Sequence, residues 1–285
     1  MARAVDIVVI NKDAGVDGAG GPFWEVAETL LYALRALGVE AELRCNQFSK
    51  SRPTVLLGAL NLTAAEAAQV PEKTVIYNLE QASAQDVPMK PHYLELLRRR
   101  PVWDYSRRNI AALAGMGVRA RLAPIGYRPE LARISPAATQ DIDVLFYGAM
   151  NDRRRRILDQ LGERGVECVA LQNYYGLPRD QFIARARIVL NVHFYPRGVF
   201  EIVRASYLLA NGKALVAERN PDTDIEPDMQ DAAVFAPYDG LAEACVGLLA
   251  DDARRQAVAE RGRARMAQRD IARFLNACLS DLPPG

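Results

Sequence analysis

Short apolar runs of strand length alternate with amphipathic stretches of helical period along the whole chain, and few architectures accommodate such an alternation. A strand, a helix and a further strand close most readily as a βαβ unit, so a long series of them implies parallel sheets covered by helices. Runs at residues 5–10, 40–44, 54–57, 74–77 and 119–123 predict the strands of a first sheet. Runs at 143–147, 167–171, 188–192, 214–217 and 234–235 predict those of a second. Between them, residues 23–37 keep helical spacing and stop at Gly38. Ser106 is placed to cap a helix through Leu113 that breaks at Gly115 and Gly117. From Gly240 onward the pattern is helical almost throughout, and no fixed-period repeat is present.

The two series meet at residues 126–141, a polar, proline-containing stretch that reads as a linker. A chain of 285 residues suits two domains of about 140 residues each. The expected organisation is a first domain at 1–125, the linker at 126–141, a second domain at 142–267, and a C-terminal helix at 268–285 packing back toward the first domain. With 50% hydrophobic residues, each half can bury a core. The net charge of +1 argues against non-specific nucleic-acid binding, which calls for a strongly basic surface. Arg98 to Arg100 read as a solvated helix face, whereas Arg153 to Arg156 open a helix at a strand end. The four cysteines form no CxxC pair, so reduced thiols are expected rather than a zinc site. The N-terminal apolar run is short for a signal peptide, and no run approaches the ~18 residues of a membrane helix. The expectation is a soluble cytoplasmic protein with no integral membrane segment.

Chemistry-bearing residues gather at the predicted strand ends of the second half, the edge at which ligands bind in open α/β sheets. Gly148 and Asn151 follow its first strand, just before Arg153 and Arg154, and backbone amides beside a guanidinium suit a diphosphate. Gln172 and Tyr174 follow the second strand and suit a nucleobase. The third strand ends in His193, followed by Phe200, Glu201 and a helix carrying Arg204, where Glu201 and Arg204 stand three apart and can pair.

In the first half, the loop NKDAGVDGAGGPFWE follows strand one and opens a helix. Gly20 and Gly21 would let backbone approach a ligand closely, and Asp13 and Asp17 are the loop's carboxylates. The loop does not match GxGxxG. Tyr77 to Gln81 bring polar groups, Glu80 among them, to another strand end. Trp103, Asp104 and Tyr105 read as an aromatic turn, and His92, after Lys90-Pro91, reads as part of an exposed loop.

The segment from Val144 to Glu218 resembles the nucleotide-sugar-binding half of glycosyltransferases with the GT-B fold, and in particular the group 1-like C-terminal domain. The resemblance is carried by the glycine loop and arginine-rich helix start, by Phe200-Glu201, and by YLLANGKALVAE, which looks like the family's alanine-rich helix, glycine turn at Gly212 and strand. It implies two Rossmann-like domains with parallel sheets facing a central cleft. It also implies transfer of a sugar from a nucleotide-diphosphate donor to an acceptor held mainly by the first domain. Arg153 or Arg154 and amides near Gly148 and Phe200 would stabilise the leaving diphosphate, and Glu201 would hold the ribose. In retaining members a second glutamate stands eight residues after the first, but here that position is Leu209, so stereochemistry stays open. An inverting transferase needs a proton acceptor. Asp17 is favoured for it, with Asp13 and then Glu80 behind. No cofactor is expected beyond the nucleotide sugar as co-substrate. No metal is expected either, because the one near match to an Asp-x-Asp signature, Asp141 to Asp143, lies at a strand's start. The rival reading is a non-catalytic two-domain protein binding a nucleotide or sugar phosphate. An NAD-linked oxidoreductase is disfavoured because the second strand ends in Arg44-Cys45-Asn46 without a ribose-binding acid.

Overall fold

Strands buried on both faces carry no polar alternation, and Ile142–Tyr147 shows the pattern, with five of its six residues buried. The computed structural model describes residues 4–12, 21–49, 51–82, 89–196, 199–221 and 223–282. The chain divides into two compact units, Met1–Glu130 with Asp270–Gly285, and Leu131–Arg269.

The first unit contains β1 (Ala4–Val9), α1 (Trp24–Ala36), β2 (Glu40–Cys45), β3 (Thr54–Leu57), α2 (Ala64–Ala68), β4 (Thr74–Asn78), α3 (Pro91–Arg99), β5 (Val102–Asp104), α4 (Arg107–Gly115) and β6 (Ala120–Leu122). Its six strands are parallel, in the order β2-β1-β3-β4-β5-β6. Val8, Leu56, Ile76, Leu97 and Leu113 belong to a core packed beneath this sheet. At the end of β3, Gly58 adopts φ +74°, and a Cβ there would lie 2.7 Å from the Ile10 carbonyl oxygen, so glycine is required.

The second unit contains β7 (Ile142–Tyr147), α5 (Asp152–Glu163), β8 (Cys168–Leu171), α6 (Gly176–Arg185), β9 (Ala186–Asn191), α7 (Ile202–Ala210), β10 (Leu215–Glu218), β11 (Val234–Ala236), α8 (Leu241–Leu249) and α9 (Asp252–Ala267). Its strands are also parallel, in the order β11-β10-β9-β7-β8, so the winding reverses between β7 and β9. Ligands of open α/β sheets bind outside the carboxyl ends at such a reversal. A further helix of the first unit, α10 (Ile271–Cys278), packs on α1.

Three features differ from the expectations. Residues 102–104 are not a turn but the strand β5, with Asp104 buried at its end; three residues after Pro101 are too few to show a period. Lys90-Pro91 begins α3 rather than a loop, with Pro91 pre-set for the first helical turn and His92 Nε2 2.9 Å from the Leu62 carbonyl. β9 ends at Asn191, two residues before His193. Within the second unit, the Asn211 side chain accepts from the amides of Arg133 and Ile134 and donates to the Leu131 carbonyl, which fastens residues 131–134 to the end of α7.

Candidate active site

The loop from β7 to α5 turns through Gly148 at φ +134°, a backbone state open to glycine. A Cβ there would stand 2.8 Å from Arg204 Nη2, so the missing side chain is also what admits the guanidinium. Asn151 then caps α5, accepting from the Arg154 amide at 3.0 Å. Its Nδ2 donates to the Phe194 carbonyl at 2.8 Å, tying this loop to the one after β9.

Arg154 lies across the reversal point. Its Nε donates to the Val192 carbonyl (2.9 Å), Nη1 to the Ala149 carbonyl (2.7 Å) and Nη2 to Glu201 Oε1 (3.1 Å). The rings of Phe146 and Phe194 stand 5.3 and 5.2 Å from its guanidinium. Burial pulls its pKa down to about 10, so the group stays charged at neutral pH. Glu201 precedes α7 and gives its other oxygen to Arg204 Nη1 at 2.8 Å. Burial pushes the Glu201 carboxyl up, but Arg204, Arg154 and His193 outweigh it and hold it below its ordinary value. Both of its oxygens are therefore engaged by arginines, as its three-residue spacing to Arg204 allowed.

Arg153 turns the other way. Its guanidinium makes a two-bond fork with Glu218, donates to the His193 carbonyl at 2.9 Å, and stacks 3.9 Å from the centre of the Tyr238 ring. Tyr238 in turn donates to the Arg153 carbonyl at 2.7 Å. Glu218, at the end of β10 and wholly buried, also accepts from the His193 amide (2.9 Å) and Asn220 Nδ2 (2.6 Å). Sequence reasoning missed Glu218. Its only signal was a carboxylate closing an otherwise apolar strand. His193 is 3% exposed, neither ring nitrogen has a hydrogen-bond partner among the described residues, and burial lowers its pKa, leaving it neutral at pH 7. Three guanidinium groups thus face two carboxylates, and the surplus positive charge suits an anion.

Two expected amide donors are already taken. The Gly148 amide donates to the Leu171 carbonyl at 3.0 Å and the Phe200 amide to the Asp224 carbonyl at 3.0 Å, so neither is free for a diphosphate. Phe200 is buried against Phe235 instead, with ring centres 5.2 Å apart. Gln172 and Tyr174 lie on the exposed loop after β8, and no described contact joins them to the arginine cluster.

In the first unit, Asp13, Asp17 and Gly20 lie outside the described residues. Gly21 takes φ +109° against the Asn11 side chain. Glu80 follows β4, and burial raises its carboxyl above the ordinary value while Lys90 partly offsets the shift. Asp141 and Asp143, at the start of β7, pair with Arg185 and Arg187. Among the described residues no group of three or more His, Cys, Asp or Glu could hold a metal ion, and no helix is long and apolar enough to cross a membrane.

Residues 136–273 match the family model described as "Glycosyl transferase-like". An uncharacterized protein, L140, of Acanthamoeba polyphaga mimivirus is 29% identical over 189 residues, 62% of this chain and 59% of that protein. The chain thus spans less than two thirds of the curated relatives it matches. Sucrose-phosphate synthase from Thermosynechococcus elongatus superposes with a TM-score of 0.64 at 13% identity, over 98% of this chain and 99% of that one. HepE of Anabaena, in complex with UDP-glucose, superposes with a TM-score of 0.60 at 14% identity, over 97% and 100%. Residues 136–273 thus resemble the glycosyl transferase-like family, on a chain with the GT-B fold of two Rossmann-like domains.

Proposed function

We propose that the protein is a glycosyltransferase that moves a sugar from a nucleotide-diphosphate donor to an acceptor whose identity is open. The observation that carries the reading is the arginine cluster around Glu201, built where the winding of the second sheet reverses. A leaving diphosphate develops negative charge as its bond to the sugar breaks. Arg204, kept close by Gly148, and Arg154 supply fixed positive charge at that place, and Glu201 holds both guanidinium groups in one geometry. Pre-aligned charge of this kind costs no reorganisation during the reaction. Arg153 contributes by order rather than contact, because its fork is spent on Glu218. The exposed Tyr174 and Gln172 are suited to a base, and HepE's complex with UDP-glucose supports a uridine donor. Arginines take the role that a metal ion would otherwise fill, so turnover is expected to survive a chelator. The free cysteines fit a cytoplasmic setting, and the net charge of +1 favours a partner other than nucleic acid.

The test is calorimetry against UDP, GDP, ADP and dTDP, followed by nucleotide release from the matching sugar nucleotides with and without EDTA. One diphosphate should bind, and its sugar form should be cleaved in EDTA. Binding without cleavage of any sugar nucleotide would overturn the transferase reading in favour of a binding protein. Loss of cleavage in EDTA, restored by magnesium or manganese, would overturn metal independence.

A further inference from the structure

We propose that the ring of Tyr147 positions Arg204 for the diphosphate, as the end of a stack in which guanidinium groups alternate with tyrosine rings; the assignment rests on the diphosphate reading above. Tyr147 ends β7, one residue before Gly148. The guanidinium carbons of Arg204 and Arg179 each stand 5.5 Å from the centre of its ring. Arg179 also stands 5.0 Å from the centre of the Tyr207 ring, and Arg133 stands 5.4 Å from that ring. The order is therefore Arg133, Tyr207, Arg179, Tyr147, Arg204, and every member belongs to the second unit. Arg204 and Tyr207 stand three apart on α7, which puts both on one face of that helix.

Hydrogen bonds fix the far end of the stack. Arg179 Nε and Nη2 donate to Asp180 Oδ1 at 3.2 and 2.7 Å. Tyr207 donates its hydroxyl to Asp180 Oδ2 at 2.7 Å, and Arg133 Nε donates to the Tyr207 hydroxyl at 3.0 Å. Burial and the bond to Asp180 push the Tyr207 hydroxyl up, so it keeps its proton at neutral pH. Tyr147, Arg179, Asp180 and Tyr207 are at most 8% exposed. Buried polar groups satisfied in this way hold one rigid arrangement, and Tyr147 carries that rigidity to the site.

The choice of a ring beside Arg204 has a physical reason. Glu201 is divided between Arg154 and Arg204. A second carboxylate would steady Arg204 as well, but it would cancel the charge that a diphosphate requires. The face of an aromatic ring attracts a cation through its quadrupole, adds no net charge, and consumes none of the guanidinium's N–H donors. Arg204 Nη1 is buried and, although ion-paired with Glu201, makes no hydrogen bond among the described residues, so its donors remain for an anion. Tyr147 thus acts through Arg204 and touches no reacting atom.

The experiment is calorimetry with whichever of UDP, GDP, ADP and dTDP the wild type binds. Tyr147→Phe is made with ordinary phenylalanine and with phenylalanines carrying successively more ring fluorine. Fluorine withdraws electron density from the ring face with little change of shape, so every member should fold and melt near the wild type. Ordinary phenylalanine should bind the nucleotide close to wild-type affinity. Affinity should then fall stepwise with fluorine, by about 10-fold across the series, the size of a desolvated cation–π contact. In an Arg204→Met background the same series should be weaker and flat, because sites that act as one unit are not additive. A packing role for the ring would leave affinity level in both backgrounds. A flat series with Arg204 present, or an equal slope in Arg204→Met, would overturn the assignment and leave the diphosphate reading standing. A wild type that binds none of the four nucleotides would refute that reading, and the assignment with it.

Discussion

Replacing Glu201 by alanine removes the carboxylate that Arg154 and Arg204 share. Arg154 has only 2% of its side chain exposed, and its remaining bonds go to the neutral carbonyls of Val192 and Ala149. Deleting one partner of a buried ion pair costs about 3–5 kcal/mol, because the other charge is left uncompensated. Arg204 is 21% exposed and can recruit water, so the lower end applies, about 3 kcal/mol. At about 2–4 °C per kcal/mol, melting of the second unit should fall by roughly 6–12 °C. The pH dependence has a definite sign. The folded carboxyl titrates below its unfolded value, so its contribution is present above the ordinary glutamate range and is lost as pH falls through the depressed folded value. The gap between wild type and variant should therefore be widest at neutral pH and close in acid. Calorimetric melting between pH 3 and 8, with binding of the wild type's nucleoside diphosphate measured alongside, gives both readouts. A folded variant that melts with the wild type at pH 7 and binds the wild type's nucleoside diphosphate equally well would refute the claim that Glu201 organises the arginines.

Three further outcomes follow from neighbouring geometry. Gly148→Ala should cost about 1–3 kcal/mol from its positive φ and should also weaken binding of whichever nucleoside diphosphate the wild type takes, by displacing Arg204; calorimetry showing unaltered affinity would separate the loop from the site. Glu218→Gln leaves Arg153 without its carboxylate and should lower stability by about 3 kcal/mol in thermal melts, whereas Tyr238→Phe should cost only about 1 kcal/mol. Because burial depresses the His193 pKa, the folded protein resists protonation there, and stability should decline as pH falls below about 6.5. His193→Phe should flatten that decline, and an identical pH profile in the two proteins would exclude His193 as its source.

Period and punctuation carried most of the architecture. Ten of the eleven strands among the described residues were legible because buried parallel strands are near-continuous apolar runs, and local signals such as Ser106 and Gly38 act within a turn of the chain. β5 was lost because three residues carry no period. The candidate site was legible only as a neighbourhood: Gly148, Asn151, Arg154, Glu201 and Arg204 lie together at the strand ends of the second sheet.

What each of those residues does there was not legible. Two adjacent arginines, Arg153 and Arg154, look equivalent in the chain. One turns to Glu218, 65 residues away, and the other to Glu201, 47 away. The amides of Gly148 and Phe200 looked available until the strand pairing and the Asp224 carbonyl claimed them. Glu80 showed nothing of the buried Asn78 and Asn109 side chains that hold its backbone. Helix and strand type follow from interactions a few residues apart, which composition and spacing record. Which partner satisfies a buried charge or amide follows from how distant segments pack, because the cost of leaving such a group unpaired is levied on the folded core, whatever the separation along the chain.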